Sequence, residues 1–108
     1  MKINAYHSVP AMSSGHDARV MHSSPGLEVV HLHLLPGEAV AQHVNNIDIV
    51  MCLLQGNTTI VSGDHTYNLN PFDVIEIPAG VERGVVNSDD GDARILVLKK
   101  IQQHLPAR

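Results

Sequence analysis

Between residues 28 and 100 the chain runs through short apolar stretches separated by clusters of Gly, Pro, Asn and Asp. The stretches are Glu28 to Leu35, Ile47 to Leu54, Asn57 to Val61, Thr66 to Leu69, Asp73 to Ile77, Gly84 to Val86 and Arg94 to Lys100. In the first, Val30, Leu32 and Leu34 alternate with His31 and His33, the period of a strand with one face turned to a core. Pro36-Gly37, Gln55-Gly56-Asn57, Ser62-Gly63-Asp64, Asn70-Pro71, Pro78-Ala79-Gly80 and Ser88-Asp89-Asp90-Gly91 supply the turns between them. Strands of this length and spacing predict an all-β sandwich or barrel. No long helical pattern interrupts them, and at most a helical turn is expected near Ile101 to Leu105.

Residues 1–24 are rich in Ser, His and Met with weak periodicity, which predicts an amino-terminal arm carrying a short strand around Ala18 to Met21. Residues 25–108 then form a single barrel domain, as a chain of 108 residues has room for one core. One strand is apolar on both faces, with Ile47, Ile49, Met51 and Leu53 alternating with Val50, Cys52 and Leu54. Such a strand needs a cover on its outer side, either the arm or a second subunit, and a homodimer is the simpler reading.

Charge narrows the partners. Eleven acidic residues against seven basic ones give a net charge of −4, and no run of Lys or Arg offers a footprint for nucleic acid. The first eight residues lack the apolar core of a signal peptide, and no stretch approaches the roughly 18 apolar residues of a membrane span. The chain is therefore read as cytoplasmic, without nucleic-acid or membrane partners. Cys52 is the single cysteine and lies in an apolar run, where a thiol behaves as a small hydrophobe. Eight histidines raise the question of a metal or proton-transfer site.

From Pro36 to Asn87 the sequence resembles the cupin family, small jelly-roll barrels (double-stranded β-helices) marked by two motifs. The first motif is Gly, five residues, His-x-His, three or four residues, Glu, six residues, Gly; here Gly37, His43 and Gly56 fall in register. The second is Gly, five residues, Pro-x-Gly, two residues, His, three residues, Asn; here Pro78, Gly80 and Asn87 fit, and Phe72 stands where its first Gly is expected. The resemblance implies an RmlC-like barrel in which two or three His and one Glu hold a divalent metal. This chain departs from that set: only His43 remains, with Asn45 at the second His, Ile49 at the Glu and Arg83 at the last His. Ile49 has no donor atom and Arg83 would repel a cation beside it, so the family's metal is not expected here.

Three readings of function follow. In the first, the barrel binds a small molecule without metal, an anion if Arg83 faces it, using His43, Asn45 and Arg83 in a pocket lined by Ile49, Met51, Leu53 and Val85. An inward Arg83 needs a counter-charge, supplied by a ligand or by Glu76 or Glu82. In the second, a dioxygenase- or isomerase-type enzyme rebuilds a metal site from His43 with His31 and His33 around one divalent transition metal, with Glu76 as a further candidate ligand. In the third, an epimerase-like catalyst uses His43 as general acid or base, with Asp48 the nearest carboxylate to orient it. The remaining histidines, His7, His16, His22, His65 and His104, fall in expected loops or tails and are read as solvated.

Overall fold

The computed structural model describes residues 1–12 and 15–101. Among them run nine strands: β1 (Asp17–Ser24), β2 (Leu27–Leu34), β3 (Ala39–His43), β4 (Ile49–Gln55), β5 (Thr58–Ser62), β6 (His65–Leu69), β7 (Val74–Ile77), β8 (Arg83–Val86) and β9 (Ala93–Lys100). A 3-10 turn at Tyr6–Ser8 precedes them. All pairings are antiparallel, in a five-stranded sheet ordered β1-β2-β9-β4-β7 and a four-stranded sheet ordered β3-β8-β5-β6. This is the all-β architecture that the strand and turn spacing predicts, in the jelly-roll form that the cupin resemblance implies. No helix among the described residues is long and apolar enough to cross a membrane. Apart from Ile101, the helical turn expected near Ile101 to Leu105 lies outside the described residues.

The core forms where the inward faces of the two sheets meet. Val30, Leu32 and Leu34 of β2, Ile49, Met51 and Leu53 of β4, and Ala93, Ile95 and Val97 of β9 are buried against Ile60, Leu69, Ile77 and Val85. Asn87 closes one end of this core: its buried Nδ2 donates to the carbonyls of Leu34, Leu35 and Gly91, and its Oδ1 accepts from the Asp89 amide. One polar side chain thus satisfies backbone groups of two connecting segments that the barrel would otherwise bury unpaired.

Two expectations about the amino-terminal region are corrected. β1 occupies Asp17–Ser24, longer than the short strand expected, and pairs along its length with β2, so residues 17–24 belong to the sheet rather than to a loose arm. The segment before it is tied down by polar contacts. Arg19 donates to the carbonyls of Tyr6 and Val9, its guanidinium stacks 4.2 Å from the Tyr6 ring centroid, and the Tyr6 hydroxyl donates to Asp17. Burial raises the Asp17 pKa, but hydrogen bonds from Arg19 and His33 outweigh it and hold the carboxyl below its usual range.

These contacts cover the β1–β2 side of the five-stranded sheet and leave the outer face of β4 open. Cys52 is half-buried on that outer side, while Leu54 is 38% and Val74 58% exposed.

Candidate functional site

β3 and β8 bring the two sequence motifs together. Ala39 and Val40 pair with Val86 and Val85, then the register slips so that His43 pairs with Arg83. The slip needs a residue without a side chain opposite it. A Cβ on the buried Gly84 would stand 2.7 Å from the Val40 carbonyl oxygen and 3.0 Å from the Gln42 amide nitrogen.

The two strands wall a cavity of about 420 Å³ inside the barrel. Its apolar lining includes Val30, Leu32, Val40, Met51, Val85 and Val97, and its polar lining is His16, His43, Asn45, Arg83 and Lys99. No Asp or Glu among the described residues lines it.

Arg83 dominates this site electrostatically. It is 3% exposed, and its one hydrogen bond among the described residues runs from Nη1 to the His43 carbonyl at 3.3 Å. Its Nε is buried with no partner among them. Burial lowers the Arg83 pKa, yet a guanidinium keeps its charge at neutral pH. The expected pairing with Glu76 or Glu82 is not made: no carboxylate among the described residues lies within 4 Å of it, although Glu76 borders a neighbouring hollow of about 330 Å³ that Arg83 also reaches.

His43 is exposed at the edge of the cavity, and its Nδ1 lies 3.0 Å from the Ala41 carbonyl. A carbonyl only accepts, so Nδ1 carries the proton and the neutral ring presents the Nε2 lone pair. The orienting carboxylate expected at Asp48 is not there. Asp48 instead accepts the Ala79 amide at 2.9 Å, so a backbone carbonyl does the orienting.

Of the residues that the sequence points to, His43, Asn45, Met51 and Arg83 converge on the cavity. Ile49 and Leu53 do not: at 2% and 0% exposure they fill the core beside it. His16, expected to be solvated, is half-buried in the cavity wall, 4.0 Å from Glu38. Lys99 joins the lining without having been expected there, though its spacing from Ile95 and Val97 along one strand carries an inward signal.

The rebuilt metal site from His31, His33 and His43 is contradicted by the strand period. With Val30, Leu32 and Leu34 buried inward, His31 and His33 face outward. His31 stacks on Tyr6 at 4.8 Å, and His33 is held by Asp17 at 3.3 Å and Asp92 at 2.8 Å. No group of three or more His, Cys, Asp or Glu among the described residues is placed to hold a metal ion.

The segment from residue 30 to residue 99 matches the family model described as a cupin domain. The chain belongs to the cupin family. A search of curated proteins finds no match to the sequence. Among solved structures, this cupin is similar to TT1209 from Thermus thermophilus, at 25% identity and a TM-score of 0.80 over 95% of this chain and 100% of that one. It also resembles the polyketide cyclase RemF from Streptomyces resistomycificus, at 19% identity and a TM-score of 0.83 over 94% of this chain and 80% of that one. A third likeness is to an RmlC-like cupin from Shewanella frigidimarina, at 12% identity and a TM-score of 0.82 over 95% and 93% of the two chains.

In the cupin frame, the four positions that would hold a divalent metal carry His43, Asn45, Ile49 and Arg83. This donor set does not fit the ion. One position has no donor atom, and another places a buried, unpaired cation where a second positive charge would sit.

Proposed function

We propose that this cupin binds a small molecule bearing an anionic group inside its barrel, without a metal cofactor. The observation that carries this reading is Arg83, a buried guanidinium with an unpartnered Nε and no carboxylate beside it among the described residues. An uncompensated buried cation is costly, and an anionic ligand removes the cost by supplying both the counter-charge and the missing acceptor. The rest of the cavity, largely apolar with a few polar groups on one side, has the make-up of a small-molecule site.

Thermal unfolding with a panel of small organic acids, phosphates and neutral analogues tests this. At least one anion should stabilise the wild-type chain and leave Arg83→Met, a near-isosteric neutral change, unmoved. Equal stabilisation of both proteins by every anion that acts would refute the role of Arg83.

A second reading, general-base catalysis by His43, is favoured by the tautomer that the Ala41 carbonyl imposes. Nitrogen-15 NMR of the neutral imidazole should show the proton on Nδ1, and a proton on Nε2 would remove the basis for this reading.

We also propose a homodimer through the outer face of β9, β4 and β7. Val50, Cys52, Leu96, Leu98 and Val74 lie side by side in that face by register, with Glu76 and Lys100 at its rim. An uncharged centre with a rim of both signs suits a second copy of itself.

A further inference from the structure

We infer that the ligand of the Arg83 cavity is a monocarboxylate with a compact apolar body. This rests on the anion-binding reading above and narrows it by charge, donor geometry and size.

Two permanent cations line the cavity, Arg83 and Lys99. Lys99 already has a counter-ion, its Nζ lying 3.6 Å from Glu28 Oε1. Arg83 has none among the described residues, so the cavity presents one unbalanced positive charge. A carboxylate carries one negative charge and cancels it. A phosphate monoester carries about −1.5 to −2 at neutral pH and would leave an excess negative charge against apolar walls.

The donors of Arg83 point the same way. Nη1 is engaged by the His43 carbonyl. That leaves the neighbouring Nε, buried without a partner, and Nη2 as adjacent donors along one edge of a planar group. Two N–H donors side by side match the two oxygens of one carboxylate. Most of the remaining lining is apolar, Val30, Leu32, Val40, Met51, Val85 and Val97, with His16, His43, Asn45 and Lys99 as its other polar side chains. The body of the ligand is therefore mostly hydrocarbon, a ring or a short chain. The volume of about 420 Å³ lies near the lower end for small-molecule sites.

The test is calorimetric titration of the full chain with benzoate and hexanoate, their primary amides, and phenyl and hexyl phosphate. Wild type, Arg83→Met, Arg83→Lys and Lys99→Met are compared. At least one carboxylate should bind wild type about tenfold or more tighter than both its amide and its phosphate counterpart, as expected when a charge-assisted pair is lost or over-charged. Arg83→Met should weaken that carboxylate by about tenfold or more, and Arg83→Lys should weaken it too, because the ammonium lacks the fork. Lys99→Met should weaken it as well, because the Glu28 carboxylate left without its partner cancels the one unbalanced positive charge.

If Arg83→Met does not fold, the comparison of carboxylate, amide and phosphate on wild type alone decides the matter. Phosphates binding as tightly as the carboxylates would overturn the carboxylate inference and leave the anion reading standing. Amides binding as tightly as the carboxylates, or no Arg83-dependent binding of either anion, would overturn both.

Discussion

Phe72 occupies a left-handed backbone conformation, φ 75°, at the point where the cupin motif carries Gly. A bulky residue holds that conformation at a cost of roughly 1–2 kcal/mol, and at 79% exposure its ring recovers little by burial within the chain. Phe72→Gly should therefore raise stability by about 0.5–1 kcal/mol in urea denaturation, the greater freedom of unfolded glycine taking back part of the relief. A fall in stability would mean that the ring makes contacts worth more than the strain. His31 offers a second test at this scale. Burial, reinforced by the Arg94 charge, lowers its pKa from the usual 6.5. The folded state then binds the proton less tightly than the unfolded chain. The contribution of His31 is intact above 6.5 and is lost as pH falls from there through the lower folded-state value. Stability measured from pH 7 down to pH 5 should decline less steeply in His31→Gln than in wild type, and parallel declines would contradict the assignment.

At the scale of elements, the seven apolar runs of the sequence correspond to seven strands with ends shifted by at most two residues. β3 carries no such signal. Its residues Ala39–His43 are mostly exposed, with only Val40 half-buried, so no alternation marks them; the strand exists because it pairs with β8. β1 reads short in the sequence because, as an edge strand, it buries only Ala18 fully. The site is legible where a motif fixes the register. The resemblance to the two cupin motifs implies that His43, Asn45 and Arg83 share one cavity, although it does not imply that Arg83 is buried and unpaired. Alternation gives a face but not a depth, so Ile49 reads as pocket lining when it is core, and His16 carries no periodic signal at all. Gly84 tests how the two motif strands meet. Gly84→Ala must push a Cβ against the backbone of Val40 and Gln42, and should cost about 2 kcal/mol or more in chemical denaturation. An unchanged midpoint would show that β3 can draw away from β8 at no cost.

For the whole molecule, sequence alternation anticipates that β4 is apolar on both faces, and the amino-terminal segment covers the β1–β2 side instead. The homodimer proposal follows from the face left over. Sedimentation should show a dimer for wild type and a monomer for Val74→Asp, since a charge placed in the centre of an apolar interface is left without a partner. A monomeric wild type at high micromolar concentration would remove the proposal.

In the proposed site a guanidinium, rather than a metal, supplies the positive charge in this cupin barrel. Elemental analysis of purified, untagged protein, with His43→Ala beside it, distinguishes the two. Both proteins should carry far less than one metal ion per chain, and anion-induced stabilisation should survive a chelator. About one transition-metal ion per chain in wild type, lost in His43→Ala, would contradict it.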